Sequence, residues 1–253
     1  ALGRMLTASQ LMASTLKSAS DTITLRIKAD GPIGLITVAC DGRGHCKGYV
    51  ENNVVEIPLR RDGKLDVGSA VGRNGQLYVV KDIGMKEPYV GSIPLESGEI
   101  AEDITAYYAY SEQIPTVCAL GVLVNPDLSI KCAGGYLLQL LPGATEEEIS
   151  LVENNIKNIP SITNFFESGH DVYDIINTVM DGFNPSILDE TDVKYQCDCS
   201  RERVKKALIS IGIKDLEMLR DEEDQIEMGC QYCDAKYYFT KKDLDNIIKS
   251  LKK

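Results

Sequence analysis

Four cysteines near the C-terminal end have the types and spacing to hold a metal ion. Cys197-Asp198-Cys199 is followed, after thirty residues, by Cys230-Gln231-Tyr232-Cys233. Thiolate sulfur is a soft donor that favours zinc over magnesium or calcium, and zinc takes four such ligands in a tetrahedron. A Cys-x-x-Cys turn lets both sulfurs face one point from a tight knuckle. Gly229 before it and Tyr237-Tyr238-Phe239 after it fit a β-hairpin carrying that knuckle. The expected occupant is one Zn2+ held by Cys197, Cys199, Cys230 and Cys233. A module of about 60 residues has room for only a small core, so metal binding is expected to supply much of its folding free energy.

Other readings of the same residues stay open. Cys197 and Cys199 are near enough in sequence for a disulfide, although its ring would be small. A plain structural zinc ribbon that never changes fits the spacing equally well, including one that binds nucleic acid. A thioredoxin-like Cys-x-x-Cys fits less well, because that motif expects a βαβ setting and the flanks here read as a hairpin followed by a helix. The other four cysteines differ in character. Cys40 and Cys46 flank a turn and sit across a hairpin, with His45 beside them. Cys118 and Cys132 lie in apolar strand runs and read as core. His170 reads as a surface residue. Two histidines far apart in sequence give little support to a His-based catalytic triad, and no phosphate-binding glycine loop is present. No catalytic residues are assigned.

The surroundings of the cluster narrow the function. The 253 residues carry a formal net charge of −11, which argues against broad capture of nucleic acid or of an anionic membrane surface. From Val193 onward there are 13 basic and 12 acidic residues, against 14 and 26 in the remainder. The acidity therefore belongs to the body, and the cysteine module has no basic excess to grip phosphates. No apolar run approaches the ~20 residues of a membrane span, and no secretory signal is visible. Eight cysteines without such a signal suggest a reducing, cytoplasmic compartment. The first residues read as the inside of a helix, as expected where a natural N-terminus lies further upstream.

The elements expected to position the cluster follow from periodicity. A helix is expected over about residues 4–18. Strand patterns follow at Thr22–Lys28 and Pro32–Cys40, with Asp41-Gly42-Arg43-Gly44 as the turn into Lys47–Glu51. Further strands are expected at Val54–Leu59, Gln76–Lys81 and Tyr89–Leu95. A helix starting at Ser97 puts Ile100, Ile104, Tyr107 and Tyr108 on one face. Val117–Val124 and Ser129–Leu141 read as two strands around a turn, with Gly134-Gly135 marking a bulge or a close backbone approach. Thr145 and Glu148 form a capping box for a helix ending before Pro160. Ser161–Asp192 carries helical spacing at Val172, Ile175, Ile176 and Val179 but is interrupted by Gly169, Gly182 and Pro185, as in marginal helices needing a surface to lie on. Thr240 caps a last helix with Leu244, Ile247, Ile248 and Leu251 on its apolar face. The fold class is α+β: a sheet-rich body with packed helices over 1–158, a helical linker over 159–192, and a small C-terminal zinc module over 193–253.

This arrangement resembles the redox-regulated bacterial holdase family, heat-shock protein 33 or the 33 kDa chaperonin. The resemblance rests on Cys197-Asp198-Cys199-Ser200-Arg201-Glu202-Arg203 and on Glu227-Met228-Gly229-Cys230-Gln231-Tyr232-Cys233. In the body it rests on Gly31-Pro32-Ile33-Gly34, Gly63-Lys64-Leu65-Asp66, Val79-Val80-Lys81-Asp82-Ile83-Gly84, Ser97-Gly98-Glu99-Ile100, Ser111-Glu112-Gln113-Ile114-Pro115, Gly121-Val122-Leu123-Val124-Asn125-Pro126 and Gly134-Gly135. It spans essentially the whole chain. The family's additional N-terminal strand and helix do not match here, and Cys40, Cys46, Cys118 and Cys132 lie outside its zinc pattern.

The resemblance implies an ATP-independent chaperone rather than an enzyme. It is latent when reduced and zinc-bound, and active once its ligands have become two disulfides, Cys197–Cys199 and Cys230–Cys233, with zinc released. The linker then unfolds, exposing residues such as Phe165, Phe166, Val172, Ile175 and Ile176. The chain, often as a homodimer, then holds unfolded client proteins. Nucleic acid and membranes are not expected partners.

Overall fold

The computed structural model describes residues 1–251. It divides into two compact units, Ala1–Tyr195 and the chain from Gln196 onward. In the first unit, helix α1 (Leu2–Ala13) leads into β1 (Thr22–Ala29), β2 (Ile36–Asp41) and β3 (His45–Val50). A short helix α2 (Val67–Val71), β4 (Gly75–Asp82) and β5 (Tyr89–Pro94) follow. The sheet order is β5-β4-β1-β2-β3, with a two-residue strand β8 (Lys194–Tyr195) added beyond β3. Every pairing is antiparallel except β3 with β8, which is parallel.

Alternation explains β1. Ile23, Leu25 and Ile27 are buried while Thr22, Thr24, Arg26 and Lys28 turn away, the period-two pattern of a strand with one face on a core. Leu25 sits opposite Val38 on one side and Val79 on the other, all three fully buried. Helix α1 packs on this sheet through Met5, Ala8 and Met12. It is shorter than its apolar pattern suggests. The Ser14 and Thr15 hydroxyls donate back to the Leu11 and Met12 carbonyls, the local bonding by which Ser and Thr end helices.

Helix α3 (Ile100–Tyr107) buries Ile100, Ile104 and Tyr107 and runs into a π-helical turn, Tyr108–Glu112. Strands β6 (Thr116–Val124) and β7 (Ile130–Gln139) form their own two-stranded sheet. Its irregularity lies at Leu123/Val124. Gly134 and Gly135 instead mark close approach: a Cβ on Gly135 would lie 2.2 Å from the Ala119 carbonyl oxygen. Helix α4 (Glu146–Lys157) begins with the expected capping box of Thr145 and Glu148.

The stretch expected as a separate linker packs within the first unit. It holds α5 (Ile162–Glu167) and α6 (Val172–Val179). Ile162, Phe165, Ile175 and Val179 form a satellite core with Ala119, Tyr136 and Leu138 of the β6–β7 hairpin. Successive strand residues face opposite ways, so Val122, against Gly3 of α1, and Gly121, against Ile162 and Thr163 of α5, place the two helices on opposite faces of that hairpin. Val172 is already 54% exposed, so it does not belong with the residues that melting would uncover.

The expected strand at Val54–Leu59 is absent. That stretch carries no regular structure, and Val54 is 79% exposed. Its β-rich composition lacks a pairing partner, and a strand without one has no ladder to join. No described helix is long and apolar enough to cross a membrane.

The second unit contains α7 (Arg201–Ser210), α8 (Ile213–Glu222), the hairpin β9 (Gln225–Gly229) with β10 (Lys236–Thr240), and α9 (Lys241–Leu251). Leu208, Leu216, Ile226, Phe239, Leu244, Ile247 and Ile248 make its core. Thr240 and Asp243 exchange the expected capping bonds at the start of α9.

Candidate metal centre

The Cys197-x-Cys199 loop precedes α7, whose first turn is closed by the Ser200 hydroxyl accepting from the Arg203 N–H at 3.3 Å. The Arg203 guanidinium also ion-pairs with Asp198 between the two cysteines. A charged side chain one turn away thereby fixes a loop that has no secondary structure of its own. The second pair sits at the tip of the β9–β10 hairpin. The Cys230 N–H donates to the Ala235 carbonyl and the Asp234 N–H to the Cys230 carbonyl, both at 2.9 Å. Asp234 takes a left-handed φ of 56° to close the knuckle, a conformation that Asp tolerates better than most residues.

These two loops bring all four Sγ atoms within 4.8 Å of one another. The shortest separations run across the motifs: Cys197 to Cys230 at 3.6 Å and Cys199 to Cys233 at 3.3 Å. A tetrahedral ion with Zn–S bonds of about 2.3 Å sets its S···S edges at about 3.8 Å. The observed spread brackets that value and lies far above the ~2.05 Å of a disulfide bond. All eight cysteines are free thiols. Donor type, number and spacing therefore fit a single soft divalent ion.

The sulfurs are not equivalent. The Tyr237 hydroxyl donates to Cys199 Sγ at 3.1 Å and holds that thiol down to about 7, since a donor favours the charged form. Burial pushes Cys197 up to about 12. The sequence placed Tyr237 only as part of a hairpin. Its role as a sulfur donor is visible once β10 aims alternate side chains back at the knuckle, and its position four residues beyond Cys233 was the available signal. Arg201, also unassigned from sequence, lies with its guanidinium 4.4 Å from the centre of the Phe239 ring and 3.1 Å from Asp243. It ties the start of α7 to the hairpin and to α9.

The remaining cysteines and histidines belong to the first unit. Cys40 and Cys46 face each other across β2 and β3, both buried. Cys118 is buried and Cys132 half-buried. Burial holds Cys40 and Cys118 up at about 12, where thiolate chemistry is suppressed. His45 lies 3.6 Å from Asp41, and His170 stacks on Phe165 with ring centres 4.5 Å apart.

Comparison with known proteins agrees with this architecture. The family model described as Hsp33 protein matches residues 1–240. The 33 kDa chaperonin of Clostridioides difficile is 48% identical over 99% of this chain and 86% of its own length. That of Clostridium acetobutylicum is 47% identical over 99% and 85%. A crystal structure of the 33 kDa chaperonin (heat shock protein 33 homolog) from Thermotoga maritima superposes with a TM-score of 0.88 at 38% identity, covering 99% of this chain and 84% of that one. With a four-cysteine cluster at metal-binding distance and these matches along its length, the chain belongs to the Hsp33 family of chaperones.

Proposed function

We propose that this chain is a redox-regulated, ATP-independent holdase, latent while Cys197, Cys199, Cys230 and Cys233 hold one Zn2+ and active once they are oxidised. The observation that carries the reading is the convergence of four sulfurs from two separate loops within 4.8 Å. When bound, zinc supplies a four-point tie between the Cys-x-Cys loop and the hairpin tip, which adds to the small core behind them. Because a bound metal takes its sulfur ligands as thiolates, these four would be the oxidant-sensitive groups of the chain, in contrast to Cys40 and Cys118, which burial keeps protonated.

Oxidation joins Cys197 to Cys199 and Cys230 to Cys233. Each new S–S bond takes two thiols, and the two electrons reduce one peroxide to two waters. With both pairs oxidised no thiolate ligand remains. The pairing within each motif is supported by the family resemblance. Cross-motif separations of 3.3 and 3.6 Å are edges of one tetrahedron and do not by themselves select partners. The module then loses its tie, and the segment over 159–192 follows it. Ile162, Phe165 and Ile175, buried in the folded chain, become an apolar surface for unfolded clients. The acidic body keeps such complexes soluble, and the oxidised form works as a homodimer in the cytoplasm.

The test is native mass spectrometry of the chain before and after peroxide at mild heat, with disulfide mapping and an aggregation assay on a thermally unfolding client. One zinc per reduced chain, none after oxidation, and two intra-motif disulfides are expected. Retention of zinc under oxidant, or a zinc-free oxidised chain that leaves client aggregation unchanged, sinks the proposal.

A further inference from the structure

The five strands β5-β4-β1-β2-β3 end on an edge that the chain itself covers with β8. In the β2–β3 ladder the Glu51 N–H donates to the Leu35 carbonyl, which makes the odd-numbered positions of β3 the ones bonded to β2. The main-chain groups of Cys46, Gly48 and Val50 therefore point outward, and so does the carbonyl of Gly44 just before the strand. β8 occupies that edge: the Lys194 N–H donates to the Gly44 carbonyl at 2.9 Å, and the register pairs Cys46 with Tyr195. Beyond the strand's end, one side chain continues its work. The Tyr195 hydroxyl donates to the Gly48 carbonyl at 2.9 Å and accepts from the Gly48 N–H at 3.4 Å, so a phenol stands in for a third residue of strand. Gly44 makes room for the strap, since a Cβ there would lie 2.5 Å from the Asp192 carbonyl oxygen.

We propose that the outer edge of β3 is a binding site for the backbone of an extended client segment, and that Lys194–Tyr195 is its resident plug. This rests on the chaperone reading above and assigns it a surface. An uncovered edge presents a row of unpaired donors and acceptors that any extended chain satisfies whatever its sequence, as a holder of diverse unfolded proteins requires. The opposite edge, β5, carries no strand on its outer side among the described residues. It is equally open in the latent form, so it cannot account for latency. β8 can. It is two residues long, both exposed, and it ends two residues before Cys197, the first of the four clustered cysteines. A strand this short does not persist once the chain beyond it loses its fold.

Hydrogen exchange on the full chain tests this, with reduced, carboxymethylated α-lactalbumin as the unfolded probe. The amides of Cys46 and Gly48, which β8 and the Tyr195 hydroxyl cover, are expected to be slow in the zinc-loaded chain, fast after oxidation and zinc release, and slow again with the probe bound. Tyr195→Phe removes only the plugging hydroxyl. In the zinc-loaded chain it is expected to speed exchange at Gly48 by about tenfold, the factor for one ordinary hydrogen bond. Amides that stay slow through oxidation overturn the inference, as does the Tyr195→Phe chain exchanging like wild type. Fast amides that the bound probe leaves fast also overturn it while sparing the chaperone reading. An oxidised, zinc-free chain that binds no probe overturns both.

Discussion

Replacing Gly121 with Val should loosen α5 without touching the cysteines. Gly121 lies in β6, where Val is a better strand former than Gly, so the hairpin itself gains. On its outward face, however, a Cβ would sit 3.0 Å from the Thr163 main-chain nitrogen and 3.0 Å from the γ-methyls of Ile162 and Thr163. The two further methyls of Val have no room while α5 stays docked. The helix is six residues long, too short to hold itself, and it stays in place through Ile162 and Phe165, 5% and 6% exposed. Burying those two side chains is worth ~3–6 kcal/mol gross, and overpacking costs ~1–3 kcal/mol. The docked state should therefore weaken by about 5- to 150-fold in population. In a client-aggregation assay the zinc-loaded variant should hold clients without oxidant, with faster amide exchange over 162–167 and an unchanged zinc content. Gly121→Ala should fall between it and wild type, because one methyl asks α5 to move only a few tenths of an ångström. Latency retained in Gly121→Val despite fast exchange over 162–167 would refute the link between α5 docking and activity.

Further perturbations address the cysteine unit. Cys233→Ser removes one of four soft ligands and should lose zinc to a mild chelator that leaves the wild type loaded, with partial client holding before any oxidant. Tyr237→Phe removes the donor on Cys199. Its thiol should rise from about 7 towards the ordinary value near 8.5, so alkylation of the metal-free chain at pH 7 should slow about tenfold, with the profile displaced to higher pH. Arg201→Ala loses the contact over the Phe239 ring and a partly exposed ion pair, and should cost the second unit ~1–2 kcal/mol. Zinc release on heating with peroxide would then begin at lower temperature although every ligand remains. Chelation should abolish amide protection from 196 onward and leave β1, β2 and β4 protected, since Leu25, Val38 and Val79 owe nothing to the metal.

The sequence was most legible where a local rule has only one solution. The Thr145 and Glu148 capping box, the Asp41–Gly44 turn and the apolar face of the last helix stand where spacing put them, because each depends on neighbours within a few residues. The four cysteines were legible for a different reason: soft ligands at short spacing have few other uses. What could not be read depends on distant partners. Val54–Leu59 has strand composition but nothing to pair with. The thirty residues between the cysteine pairs hold α7 and α8, whose apolar positions are too sparse to stand out. β8 consists of a Lys and a Tyr and exists only because β3 offers an edge. The contribution of Tyr237 to Cys199 required a hairpin register that no spacing rule supplies.

Glycine positions tie these misses together. Gly121 admits α5 against β6, and Gly44 admits the strap beside β3. In each case a short element, six residues or two, has only a few ladder or helix bonds and depends on a notch in the body to stay in place. An element of that kind cannot nucleate alone, since the ordering cost of ~1–2 kcal/mol per residue exceeds what a few hydrogen bonds return. It is present only while the chain on both sides of it is fixed. On the proposed function, oxidation with loss of the ion would remove that fixation at one end. The response should then be largest in the notch-held elements and smallest in the sheet behind them. A chaperone latent in the way proposed above would gain from that order, because its binding surfaces would open while the body that displays them stayed folded.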